Sequence, residues 1–352
     1  MTPPVPVFDG HNDTLLKLEL AARAGSPLDF YTDNGSDLDI DLPRARASGF
    51  AGGFFAMFSP RTDKKPGEDF DPGDPANFEP VPQARALEIT LAMFARMRRL
   101  ARDLPDDLAI CSDVAEIRTT METGQIALLP HIEGAECIDP GLDTLEVLHA
   151  AGLRSLGLVW SRPNIFGHGA PMDAQPELDP GEGLTDAGRA LVRACNRLGI
   201  MIDLSHLTER GFWDVAEVTD KPLVATHSNV HAICPSARNL TDDQLRAVAA
   251  SGGVVGLNFN CSFLRPDCAD DTDVPMTLLL RHLDHMLEIV GENGVALGSD
   301  YDGCLLPAEI ANVTGLPRLT AAMRQANYGD DLINKICSEN WLDLLGRAGV
   351  GG

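Results

Sequence analysis

His11, Asp13, Glu133, His206, His227 and Asp300 are the residues best placed for chemistry, because each closes an apolar run. Residues 5–8 lead through Asp9-Gly10 to His11 and Asp13. These two stand two positions apart, and so on one side of an extended chain. An imidazole and a carboxylate on one side make half a metal site. Later runs end the same way, at Glu133, His206, His227 and Asp300. Neutral imidazoles and carboxylates without a cysteine suit Zn²⁺ or a comparable divalent ion and speak against a closed structural zinc site. Five ligands exceed the three of a mononuclear catalytic zinc. Two ions would use them all, with His11 and Asp13 on one, His206 and His227 on the other, and Glu133 between. Two cations about 3.5 Å apart share a water and lower its pKa toward neutrality, so the implied reaction is hydrolysis. Asp300 is the natural general base beside the bridging Glu133, and Asp302 is the competing choice. His131 shares strand parity with Glu133 and reads as a neutral core histidine. His149, His282 and His285 fall in helical stretches and read as surface or packing residues.

Residues so far apart in sequence meet only if the intervening elements repeat. Eight strand-like runs are expected, at 5–13, 53–58, 126–133, 155–160, 200–206, 223–227, 254–259 and 295–300. Helical stretches separate most of them. In 83–103, Ala84, Leu87, Leu91, Phe94, Met97 and Leu100 recur at spacings of three and four, one face of an amphipathic helix. Further helices are expected at 14–24, 142–151, 185–198, 209–218, 276–290 and 330–347. Thr185 and Gly199 suit the two ends of one, and Thr241-Asp242-Asp243-Gln244 has capping-box spacing. This alternation predicts an α/β fold, a parallel (β/α)8 TIM barrel in a single domain over 1–352. Chemistry in such barrels gathers at the C-terminal strand ends, where all six residues sit. An acidic Pro/Gly-rich insertion at about 59–82 is expected to be a lid or a surface loop.

Composition narrows the partners. The formal net charge of −24 opposes nucleic acid and anionic membrane surfaces, both of which require basic residues. The eight cysteines contain no Cys-x-x-Cys pair, which argues against a zinc ribbon or a thioredoxin-type site. The start MTPPVPVFDG has no basic n-region or apolar h-region, so a cytoplasmic location is the expectation.

Asp9-Gly10-His11-Asn12-Asp13, Ile132-Glu133-Gly134, Asp203-Leu204-Ser205-His206, Thr226-His227-Ser228-Asn229, Ser236-Ala237-Arg238-Asn239 and Gly298-Ser299-Asp300-Tyr301-Asp302-Gly303 together resemble the membrane (renal) dipeptidase family. These are zinc peptidases of the amidohydrolase superfamily, and the motifs span nearly the whole chain in the right order. The resemblance implies a (β/α)8 barrel with two Zn²⁺ per chain that cleaves dipeptides, tolerating a D-residue at the C-terminal position. It implies the same metal ligands, with Glu133 bridging and Asp300 as acid/base. It adds Arg238 for the substrate carboxylate, which explains a preference for dipeptides over longer chains. Similar proteins are often homodimers, and composition is silent on that point.

There is one departure. Family members carry a histidine after strand four that helps polarise the scissile carbonyl, and here Trp160 stands in Leu158-Val159-Trp160-Ser161-Arg162-Pro163-Asn164. Asn164 or His168 is the expected replacement donor, unless the metal acts alone. Two alternatives bracket the dipeptidase. One is a metal hydrolase of cyclic amides, lactones or phosphoesters; many of these bridge their ions with a carboxylated lysine, and no lysine lies between Lys65 and Lys221. The other is a catalytically silent metal-binding protein, supported only by Trp160. The family's lipid anchor is not expected, since no apolar C-terminal tail is present.

Overall fold

The computed structural model describes residues 4–35, 37–61 and 75–351. Strand β1 (Val7–Asn12) pairs in parallel with β2 (Phe50–Phe58). A short strand that the hydrophobic pattern does not announce, β3 (Leu108–Ile110), flanks β4 (Ile126–Glu133), and β4 takes the place beside β2. The ring continues through β5 (Ser155–Gly157), β6 (Met201–Asp203), β7 (Val224–Ala225), β8 (Val254–Leu257) and β9 (Val295–Leu297), every pair parallel. It closes where the Asp300 amide donates to His11 O at 3.0 Å and the Asp13 amide donates to Tyr301 O at 2.8 Å. This is the (β/α)8 TIM barrel that the alternation of elements predicts.

Side-chain alternation along the strands sorts two cores. Phe8, Phe54 and Leu129 join Met201, Val254, Ala296 and Trp341, while their neighbours Val7, Phe55 and Leu128 pack with Leu15, Ile89 and Met93 of the surrounding helices. Trp341, from the helix Asn340–Ala348, fills the barrel interior and donates its indole N–H to Leu297 O at 2.9 Å. A β-carbon on Gly10 would collide with this ring and with Thr226 O and Leu297 O, so only glycine fits there. Rings continue from Trp341 to Phe54 at 5.3 Å, on to His131 at 6.2 Å and then to His11 at 5.4 Å. A packed column thus supports the first metal-site candidate from below.

Most helices lie where the periodicity places them, including Gln83–Asp103, Asp186–Leu198 and Met276–Val290. Thr185 accepts from the Gly188 amide, and Thr241 and Gln244 form the capping box. The expected tail helix is in fact three pieces, Asp330–Asn334, a π turn Lys335–Glu339 and Asn340–Ala348. All five strands after β4 are shorter than their expected runs, because the ladder stops two or three residues before each run ends. The core of the expected insertion, residues 62–74, lies outside the described residues. Among the described residues, no helix is long and apolar enough to cross a membrane.

Candidate metal centre

Strand parity alone would send His11 the wrong way. Phe8 and Gly10 face the barrel interior, so an unbroken β1 would turn His11 toward the helices. A register shift between Asp9 and Asn12 intervenes, and a bulge of this kind re-aims the side chains beyond it. On β4 no correction is needed, since Leu129, His131 and Glu133 share one face. His206, His227 and Asp300 lie beyond the ends of β6, β7 and β9, where the chain is already turning. His206 and Asp300 adopt left-handed backbone at φ 68° and 61°. That conformation costs a non-glycine residue about 1 kcal/mol or more, and here it turns each side chain toward the barrel axis.

The six side chains converge. His11 Nε2 lies 3.3 Å from Asp13 Oδ2 and 3.7 Å from Glu133 Oε2. The other carboxylate oxygen, Glu133 Oε1, lies 2.9 Å from His206 Nε2 and 3.5 Å from His227 Nε2. One carboxylate therefore presents one oxygen to each half of the site. Asp300 completes the first half, its carboxylate within 4.8 Å of the ligand atoms of His11 and Asp13. A β-carbon on Gly303 would meet both Asp13 Oδ2 and Asp300 Oδ1, so glycine there leaves room for both carboxylates.

The outer nitrogens reveal the tautomers. Thr226 Oγ1 donates to Asp203 Oδ2 at 2.6 Å, so at its 2.8 Å contact with His227 Nδ1 the hydroxyl can only accept. His227 thus carries its proton on Nδ1 and leaves Nε2 bare. Ser161 Oγ holds His206 Nδ1 at 2.9 Å; when that hydroxyl accepts, the His206 Nε2 is bare as well. The two Nε2 atoms face each other at 3.1 Å beside Glu133 Oε1. Lone pairs and a carboxylate aimed at one point are the arrangement a cation requires. On the other side both ring nitrogens of His11 and Asp13 Oδ1 are buried without a hydrogen-bond partner. Asp203 also lies near His131 and His227, but its oxygens already accept from the Ser205 and Thr226 amides and the Thr226 hydroxyl. These bonds tie Asp203 to the backbone beside His206 and His227, although its carboxylate also lies within 4.8 Å of the ring nitrogens of His11 and His227.

Charge crowding appears in the proton affinities. Burial pushes Glu133 well above the usual carboxylate range, with Asp13 and Asp300 adding to it and His11 opposing. Burial also raises Asp300. Burial drives His206 and His227 well below the usual imidazole value, helped by Arg238 and His11. For His11 burial acts downward too, but Glu133, Asp13 and Asp300 overcome it and raise the value to about 10. His131 is the neutral core histidine expected, held by Ser155 Oγ at 2.9 Å and pushed by burial to about 3.

Arg238 stands at the mouth with 3% of its surface exposed. Its guanidinium lies over the Phe263 ring at 5.4 Å and donates weakly to His227 O at 3.4 Å, while its Nε–H has no partner. Among the described residues no carboxylate pairs with it. Trp160 packs 5.0 Å from Phe58, stacks on Phe78 at 5.5 Å and reaches the His206 ring at 5.9 Å. The buried Arg162 pins this wall through Glu136 at 2.7 Å and Ser59 O at 2.7 Å. Asn164, expected as a donor in the mouth, is put to a different use. Its amide donates to Leu158 O and accepts from the Phe166 and Gly167 amides, which fastens its own loop. His168 pairs with Glu182 at 2.9 Å. Asp302 accepts from Thr14 Oγ1 and the Asp39 amide, so it ties a surface loop to the barrel and Asp300 alone faces the ligands.

Known proteins resemble this chain in sequence and in fold. The family described as membrane dipeptidase (peptidase family M19) matches residues 2–349. The chain belongs to that family. Its structure is similar to that of a metallo peptidase from Rhodobacter sphaeroides liganded with a phosphinate mimic of the dipeptide L-Ala-D-Ala. The two share 46% identity and a TM-score of 0.90 over 98% of this chain and 99% of that one. A dipeptidase of the same family is also 46% identical, with a TM-score of 0.89 over 99% of both chains. An uncharacterized protein from the pqqA 5′ region of Klebsiella pneumoniae is 43% identical over 274 residues, 78% of this chain and 97% of its own length. Membership makes this chain a metallo-dipeptidase.

Hydrophobic pattern and spacing do not point to the supporting shell of this metallo-dipeptidase. Asp203 interrupts Met201-Ile202 and Leu204, and Asn258 interrupts Leu257 and Phe259; a polar residue inside an apolar run is the signal that marks them. Asn258 Nδ2 donates to Asp300 Oδ2 at 2.9 Å. Ser161 and Arg162 carry no such signal, because loop residues are ordinarily polar.

Proposed function

We propose that this metallo-dipeptidase is a two-zinc enzyme that hydrolyses dipeptides and accepts a D-residue at the C-terminal position. The observation that carries the reading is Glu133, whose two oxygens face separate ligand sets, His11 with Asp13 and His206 with His227. Nitrogen and oxygen donors without sulfur suit zinc in an open catalytic site. When bound there, the ions supply an acidified water and a polarised scissile carbonyl.

The remaining steps fall to the chain itself. Asn258 holds Asp300 Oδ2, which leaves Oδ1 outside that bond to take the proton of the attacking water. Burial raises the Asp300 pKa, which suits a group that accepts this proton and passes it to the leaving amine near neutral pH. Arg238 binds the free α-carboxylate through its unpartnered Nε–H, and so admits dipeptides and refuses longer chains. Trp160, in place of the family's histidine, offers an apolar wall beside His206 and no charged donor. The L-Ala-D-Ala mimic held by the Rhodobacter sphaeroides relative supports D-residue acceptance. Eight free cysteines suit a reducing compartment such as the cytoplasm.

The test is elemental analysis of purified protein, with turnover of L,L- and L,D-dipeptides and their C-terminal amides. About two zinc ions per chain, loss of turnover on chelation and much slower turnover of the amides are expected. Activity without bound metal, or equal turnover of the amides, overturns the reading.

A further inference from the structure

We propose that the cavity beside Arg238 selects dipeptides whose C-terminal residue carries a long cationic side chain, such as lysine or arginine; this rests on the dipeptidase reading above. The cavity has a volume of about 250 Å³ and is lined at its inner end by His206 and Arg238. The Arg238 Nε–H is buried and unpartnered, and this marks the inner end as the place for an anionic group. With the substrate carboxylate on Arg238 and the scissile carbonyl back toward His206, the C-terminal residue has only its side chain left to enter the cavity.

The lining matches one kind of side chain. Leu178 and Leu207 offer an apolar passage, and Asp179, Glu182 and Glu209 stand around it. Against these three carboxylates, the lining beyond Arg238 and His206 holds His168, which engages Glu182, while Arg189 and Arg210 line the adjoining cavity on the far side of Glu182. Among the described residues Asp179 and Glu209 belong to no ion pair. A four-carbon stem along the leucines places its ammonium among these carboxylates, while an acidic side chain would meet repulsion there. The exposure of Asp179 and Glu182 keeps the effect modest and sensitive to salt.

The experiment compares kcat/KM for Ala-Lys, Ala-norleucine, Ala-Glu and Lys-Ala at low and high ionic strength, with the wild-type enzyme and the combined D179N/E182Q/E209Q variant. Norleucine keeps the stem and removes the charge. Ala-Lys is expected to exceed Ala-norleucine by roughly five- to tenfold at low salt and Ala-Glu by more. The advantage shrinks in high salt and falls to about parity in the variant. Lys-Ala shows no such advantage, because a general attraction of the acidic protein for cations would favour both dipeptides equally. Parity of Ala-Lys and Ala-norleucine in the wild type, an equal gain for Lys-Ala, or an advantage that survives in the variant refutes the assignment. Absence of turnover on all four dipeptides refutes the dipeptidase reading and this inference with it.

Discussion

Replacing Arg238 with methionine separates recognition from folding, because the structure gives the guanidinium opposite effects on the two. Burial lowers its pKa from 12.5 to about 10, which corresponds to on the order of 3 kcal/mol against the charged form. A 3.4 Å hydrogen bond to His227 O and the contact with Phe263 offset part of this, each contributing about 1 kcal/mol, and the attraction of Asp300, Glu133 and Asp203 is already contained in the lowered value. Methionine keeps the volume and removes the charge, so the Arg238→Met protein should be at least as stable, its Tm unchanged or raised by a degree or two. Binding should suffer instead. Loss of one partner of a desolvated charge pair costs about 3 kcal/mol or more, a fall in kcat/KM of at least roughly 150-fold on a dipeptide. On the C-terminal amide of that dipeptide the same substitution should change little, since the carboxylate is already missing. The four rates form a cycle whose coupling energy is read directly. A Tm lowered by several degrees, or equal losses on acid and amide, would refute the argument and make Arg238 a structural residue.

Three further outcomes follow from the same geometry. Glu133→Gln weakens the one anion that both ligand sets share; bound zinc should fall below two per chain and kcat by about a thousandfold, checked by elemental analysis and steady-state rates. Thr226→Val removes the acceptor that sets the His227 tautomer, so zinc affinity should drop about 10- to 100-fold in chelator competition, and an unchanged affinity would count against the assigned tautomer. Metal-free protein should lose thermal stability between about pH 7 and 9.5, because the raised His11 value of about 10 gives a contribution fully present below the unfolded value of 6.5 and lost as pH rises through 10. A metal-free Tm that climbs across that range would contradict the sign.

Periodicity was enough to place the barrel and its ring of strands, because parallel strands buried on both faces read as apolar runs and the helices between them repeat at three and four. It was not enough to place β3, whose three residues are too short for any period to register. The site itself was legible through its chemistry more than its geometry. His11 and Asp13 look like a pair on one face of a strand, yet they reach the axis through a register shift that no pattern of residue types announces. His206 and Asp300 look like strand ends, yet they stand on left-handed turns whose backbone only the surrounding packing can hold. Asn164 shows the opposite failure: a donor in sequence near the mouth, it is consumed by three backbone partners of its own loop.

The same packing explains how the barrel tolerates so many buried charges. His11, Asp13, Glu133, His206, His227 and Asp300 all have less than a tenth of their surface exposed, and among the described residues the counter-charge paired with them from outside the cluster is Asp203, 3.9 Å from His227 Nδ1. Hydroxyls, amides and backbone hold them: Ser161 and Thr226 the imidazoles, Asn258 the carboxylate of Asp300, and the closing bonds between β1 and the turn after β9 the two halves of the first set. Neutral partners of this sort fix direction without neutralising charge, so the repulsion among Glu133, Asp13 and Asp300 is relieved only in part, by His11 and Arg238, until a cation arrives. Ion binding must then stabilise the native state as well as equip it for hydrolysis, and the residues that set orientation, Thr226 above all, should govern affinity for the ion while touching neither it nor the substrate.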